Sequence, residues 1–141
     1  MKTVENQIAA IFSGYVRRWA QEQLSAGQSL DGFTYYDFIS ISLEDINKFV
    51  AKNGFPGTMV YEEGSPNAFL GDDQYWITHK DNQWEVCYIE RGEKSRIAYF
   101  ATIEEARWAV IQRLVREAKI ELNNMFRLAH PSLGLPPPDE M

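Results

Sequence analysis

An α+β fold follows from two observations: helix-period apolar spacing near both ends of the chain, and strand-period runs joined by short connections between them. The runs are YWITHK, QWEVCYIER and SRIAYFA, linked by Asp81-Asn82 and by Gly92-Glu93-Lys94. Connections this short favour antiparallel neighbours. The expected sheet is therefore an antiparallel meander of three to four strands, packed against an N-terminal and a long C-terminal helix.

The elements can be justified in order. Val4, Ile8, Ile11, Phe12, Tyr15, Val16 and Trp19 recur at steps of three and four, which predicts one amphipathic helix over 3–24. Ser25 to Gly32 reads as loop, and FTYYDFISIS, aromatic and β-branched, reads as loop rather than strand. Ser42 can cap a second helix whose first turn carries Asp45 and whose apolar face is Ile46, Phe49 and Val50. Asn53-Gly54 and Pro56 stop it. TMVYE (58–62) predicts a short first strand, followed by the loop 64–74. Strands are expected near 75–80, 83–91 and 95–101. Thr102 and Glu105 form a capping-box pattern that opens a helix from Ile103 to about Phe126. That helix has two adjacent apolar stripes, so it is expected to touch both the sheet and helix 3–24.

A chain of 141 residues with 45% apolar content can bury a core without disulfides or metals, so residues 1–130 are expected to form one domain. The stretch 131–141, with three consecutive prolines, predicts an extended, mobile tail. Cys87 has no second cysteine to pair with and sits in an apolar strand, which predicts a buried, inert thiol. MKTVENQIAA lacks the layout of a signal peptide, and no apolar run nears the roughly 20 residues that span a bilayer. A cytoplasmic protein without membrane contact is expected.

The net charge is −6, which argues against direct nucleic-acid binding because phosphate recognition needs clustered Lys and Arg. The imbalance is regional. Asp31, Asp37, Glu44, Asp45, Glu62, Glu63, Asp72 and Asp73 fall between Asp31 and Asp73, opposed only by Lys48 and Lys52. The remaining acids and bases cancel, twelve against twelve. An acidic surface of this kind would steer and hold a basic partner. Tyr35, Tyr36 and Phe55 lie among the acids as candidate aromatic anchors.

Signals for catalysis are weak. His79 and His130 belong to no metal-ligand spacing, and no cofactor or metal is expected. Glu62 and Glu63, adjacent on a strand, point to opposite faces and cannot share a cleft alone. Glu104 and Glu105 suit a first helical turn. No phosphate-binding glycine loop and no nucleophile elbow is present. The aromatics of the strands lack the basic groove that base stacking requires, so core packing is the better account. The expectation is a binding protein and not an enzyme.

Residues 75–114 run as a strand, a turn, W-E-V-x-Y-I-E-R-G, another strand ending F-x-T-x-E-E-A, and a long helix. This stretch, under a third of the chain, resembles bacterial immunity proteins, the antidotes of polymorphic and contact-dependent growth inhibition toxins. Trp84, Glu90-Arg91-Gly92, Phe100 and Glu104-Glu105-Ala106 carry the likeness. The resemblance implies tight binding to the C-terminal domain of a cognate toxin, commonly a basic nuclease or an NAD-degrading enzyme. The acidic segment, found independently, fits a basic target. Two other classes remain open at this point: a small metal-dependent hydrolase using acidic loop residues, and a regulatory subunit of a larger complex. Oligomeric state is not legible.

Overall fold

The structure, a computed structural model, describes residues 3–24, 33–66 and 70–129. It is α+β. In chain order the elements are α1 (Val4–Ile11), α2 (Val16–Gln23), a 3-10 turn (Tyr35–Asp37), α3 (Leu43–Asn53), β1 (Val60–Glu62), β2 (Gln74–Lys80), β3 (Gln83–Glu90), β4 (Glu93–Phe100) and α4 (Ile103–Ala129). The chain gathers into two compact units, Met1–Ser42 with Leu114–Met141, and Leu43–Arg113. The first eleven residues of α4 belong to the second unit and the rest of the helix to the first.

In the helical unit, the single helix expected over 3–24 is two helices. Thr3 caps α1 by accepting the Asn6 N–H at 3.2 Å. The break falls at Ser13-Gly14. Ser13 Oγ donates to the Ala10 carbonyl at 2.8 Å and accepts the Tyr15 N–H at 2.9 Å, and Gly14 takes φ of +78°. A glycine tolerates that left-handed backbone, so the chain turns between two stretches that share one apolar period. Phe38 stacks on Phe126 of α4, with ring centroids 5.7 Å apart, and meets the edge of Trp19 at 6.2 Å. Gln7, buried on α1, accepts the N–H groups of Ser40 and Ile41 at 2.9 and 3.0 Å. It thereby satisfies two backbone donors that no helix or strand would serve.

In the sheet unit the strand order is β1-β2-β3-β4. β2, β3 and β4 form the expected antiparallel meander, with Thr78 opposite Glu85 and Glu85 opposite Tyr99. Two-residue turns join them. Asp81 and Asn82 have φ of 51° and 63°, and Arg91 and Gly92 have 52° and 77°. Positive φ at both central positions matches the right-handed twist of the flanking strands. The second turn is therefore Arg91-Gly92, and Glu93 and Lys94 already belong to β4. β1 departs from a purely antiparallel sheet. It pairs parallel to β2, Val60 with Tyr75 and Glu62 with Ile77, because the loop between them carries the chain back before β2 begins.

α3 ends as expected, with Gly54 at φ +78° and its N–H on the Val50 carbonyl at 2.8 Å. Ile46, Val50, Tyr75, Ile77, Val86, Ala106 and Val110 are buried in this unit. Thr102 opens α4: its Oγ1 accepts the Glu105 N–H at 3.2 Å and donates to Glu105 Oε1 at 3.0 Å. The helix runs three residues past the expected Phe126. FTYYDFISIS contains no strand, only the 3-10 turn and irregular chain. The expected tail 131–141 and His130 lie outside the described residues. Among the described residues, no helix is long and apolar enough to cross a membrane.

Candidate functional site

The acids singled out in the sequence fall into three groups. Asp31 lies outside the described residues. A second group serves the fold. Asp37 Oδ2 accepts the Thr34 N–H at 2.7 Å and so closes the 3-10 turn. Glu62 receives the Arg107 guanidinium through two bonds, Nε to Oε1 at 2.6 Å and Nη2 to Oε2 at 2.9 Å. The Glu62 side chain is only 11% exposed, and its carboxylate is the partner of Arg107 on α4. Its position on an edge strand gave no hint of the arginine 45 residues away.

The third group remains exposed, and its members are not all together. Glu44 and Asp45 occupy the first turn of α3. Glu63 Oε2 accepts the His79 N–H at 2.6 Å near the end of β2. Asp72 accepts the Arg91 and Gly92 N–H groups at 3.0 Å each, one on each carboxylate oxygen, and so clasps the β3–β4 turn. Asp73, beside it, has φ of 51°. At about 3.3 Å per residue, the five or six residues of β2 between the Asp72-Asp73 pair and the Glu63 contact span roughly 18 Å. Asp72 and Asp73 are instead brought next to the hairpin whose last pair is Glu90 with Glu93, also exposed.

Among the aromatic candidates, Tyr36 is 51% exposed, Phe55 is half-buried, and Tyr35 is wholly buried. Tyr35 is thus a core residue and not a surface anchor. Its phenol is pushed up to about 12, first by burial and then by Tyr36. The Lys119 ammonium lies 5.9 Å from the Tyr35 ring and 5.6 Å from the Tyr36 ring, and burial lowers its pKa. Sequence periodicity missed this because α4 and the 3-10 turn are far apart in the chain.

One titratable cluster had no sequence signal except a carboxylate amid the apolar run of β3. Glu85, its side chain 3% exposed, forms an ion pair with the Lys94 ammonium at 2.7 Å. Its pKa falls to about 2: the Lys94 hydrogen bond lowers it, burial opposes, and the Cys87 thiol and Tyr99 hydroxyl lower it further. Burial, then Glu85, pushes the neighbouring Cys87 thiol up to about 11. Arg96 covers Tyr99, donating to its hydroxyl at 3.0 Å. A carboxylate near 2 is a poor base and a thiol near 11 a poor nucleophile at neutral pH. The cluster locks β3 to β4. Among the described residues, no group of three or more His, Cys, Asp or Glu is placed to hold a metal ion. His79 is exposed, its ring against Trp84 at 4.9 Å.

Comparison with protein-family models, curated proteins and solved structures finds no match to this chain.

Proposed function

We propose that the chain is an immunity protein that binds and neutralises a cognate toxin domain in the cytoplasm through acidic surface residues, without catalysis of its own. The observation that carries this reading is that exposed carboxylates are held in place by backbone donors. Glu63 is fixed by the His79 N–H, and Asp72 by the Arg91 and Gly92 N–H groups. Carboxylates held this way meet a basic partner with less side-chain entropy to lose, and their charge speeds encounter. The sequence likeness of residues 75–114 to immunity proteins supports the same role, and its residues build the hairpins and the start of α4. A basic nuclease or an NAD-degrading toxin suits the charge.

The hydrolase alternative calls for two carboxyls in one cleft with divergent pKa values. Glu63 is bonded near the last residues of β2, Asp72 lies two residues before its first and clasps the β3–β4 turn, and Glu85 is moved away from the neutral range. Binding fits this arrangement better.

The test compares wild type with Glu63→Gln/Asp72→Asn, each confirmed folded, which removes two charges and keeps an acceptor for the His79 N–H and for one of the Arg91 and Gly92 N–H groups. The control is Glu117→Gln/Glu121→Gln on α4, with the same change in net charge. Association with the toxin domain encoded beside the gene should be fast at low salt and fall as salt rises. The first variant should associate about tenfold more slowly and protect cells less, while the control stays near wild type. A wild type that binds no such toxin would end the immunity reading.

A further inference from the structure

We infer that a groove at the start of α4 is a docking site for an arginine or lysine side chain of a basic partner protein. The groove has a volume of about 370 Å³ and is lined by Asn47, Phe100, Glu104, Glu105, Trp108 and Ala109. That is the small end of the range of ligand sites, about 300–1,000 Å³, and suits a long side chain better than a nucleotide.

Its chemistry points to a cation. Phe100, Trp108 and Ala109 are half-buried, so two aromatic rings remain partly open to solvent. Glu104 and Glu105 are exposed at the rim. Glu105 is held by the Thr102 hydroxyl at 3.0 Å, which orients one carboxylate. Glu44 stands three positions before Asn47 on α3 and therefore on the same face of that helix, with Cβ atoms roughly 5–6 Å apart. An aromatic ring beside carboxylates is the surface that a guanidinium or ammonium recognises, by cation–π contact within about 6 Å and by paired hydrogen bonds.

Three local charges oppose this, and together they leave the rim negative. Lys48, four positions after Glu44 on α3, offsets that carboxylate, which leaves Glu104 and Glu105. The α4 N-terminus carries about half a positive charge, against two full negative charges from Glu104 and Glu105. Arg107 lies between Glu104 and Trp108 in sequence, but its guanidinium is engaged bidentately by Glu62. The groove thus keeps a negative rim. Its identification with the toxin interface rests on the reading proposed above; its affinity for a basic side chain does not.

The experiment has two arms, both on the full chain. In the first, the isotope-labelled protein is titrated with an acetylated, amidated tri-arginine peptide, and with a tri-glutamate peptide as control. Saturable shifts should appear at the Trp108 indole and at Phe100 and Ala109, with the arginine peptide only. Glu44→Gln/Glu104→Gln should weaken them about tenfold, with Thr102 and Glu105 untouched so that the helix cap survives. In the second arm, the same variant and Trp108→Leu are measured against the toxin domain, each expected to bind about tenfold more weakly.

No localised shift in the first arm overturns the inference. Loss of toxin binding in Trp108→Leu but not in Glu44→Gln/Glu104→Gln also overturns it, since the groove would then take an apolar side chain. Groove shifts that depend on protein concentration alone would place a second copy there, with the same consequence. Wild-type toxin binding with both variants unchanged refutes the groove as the interface and leaves the immunity reading standing. Arginine-peptide shifts without toxin binding do the reverse.

Discussion

Replacing Lys94 by Met should destabilise the sheet unit more than any other single substitution on its exposed strand β4. Lys94→Met removes the cation that covers Glu85, a carboxylate whose side chain is 3% exposed. The folded carboxyl titrates near 2, against an ordinary 4.5. At about 1.4 kcal/mol per unit, that difference corresponds to about 3–4 kcal/mol of stabilisation of the charged form. Lys94 is itself 48% exposed, so solvent screens part of the attraction, and about 2 kcal/mol is the better figure for the pair. Without Lys94, the buried charge keeps only the Cys87 and Tyr99 contacts, and breaking such a pair costs up to about 3–5 kcal/mol. The expected loss for Lys94→Met at pH 7 is about 2–3 kcal/mol, a fall in Tm of roughly 6–12 °C for a domain of this size. Glu85→Gln, which removes the buried charge too, should cost less, about 1 kcal/mol.

The pH dependence has a definite sign. A folded pKa below the unfolded one stabilises the protein above the unfolded value, and this contribution is lost as pH falls through the folded value. Wild type should lose it between about 4.5 and about 2, and Glu85→Gln should lack that part of its acid sensitivity. Urea denaturation followed by tryptophan fluorescence at pH 7, 4 and 2.5 measures this for wild type, both single variants and the double variant. The reasoning fails if Lys94→Met matches wild type within about 0.5 kcal/mol at pH 7, or if Glu85→Gln keeps the full acid dependence.

Cys87, buried and with its thiol near 11 instead of 9, should react with a thiol reagent at least about a hundredfold more slowly than a free cysteine at pH 8. The rate should become normal in denaturing urea, and fast labelling of the native protein would show an open strand. Gln7→Leu should cost about 2–3 kcal/mol, because the Ser40 and Ile41 N–H groups lose their acceptor in a buried place. Gln7→Glu, which keeps the acceptor, should cost less in the same denaturation assay. Arg107→Met should destabilise by about 1–3 kcal/mol through the loss of a bidentate pair with partly buried Glu62, and a neutral outcome would show that pair to be solvated.

Local features were legible in the sequence. The turn at Asp81-Asn82, the stop at Asn53-Gly54 and the cap at Thr102 depend on residues within a few positions of each other, and each is where it was expected. The three meander strands follow from their period and short connections. The break between α1 and α2 was also written locally, in Ser13-Gly14, but the apolar period continued across it and masked the glycine. Charge was legible as a count and not as a surface. The acids of the segment 31–73 include a partly buried ion-pair partner and a turn clasp as well as solvated groups, and these look alike in sequence.

The sequence by itself determined the fold class, the element types and their order, because periodicity and capping are properties of neighbouring residues. Only the tertiary structure decided that β1 runs parallel to β2, that Tyr35 is interior, that Glu62 meets Arg107 and that Glu85 is buried under Lys94. Periodicity says that a face is apolar or that a group is charged. What covers that face, or neutralises that charge, comes from residues brought together by the path of the chain, and burial and pKa follow from that meeting.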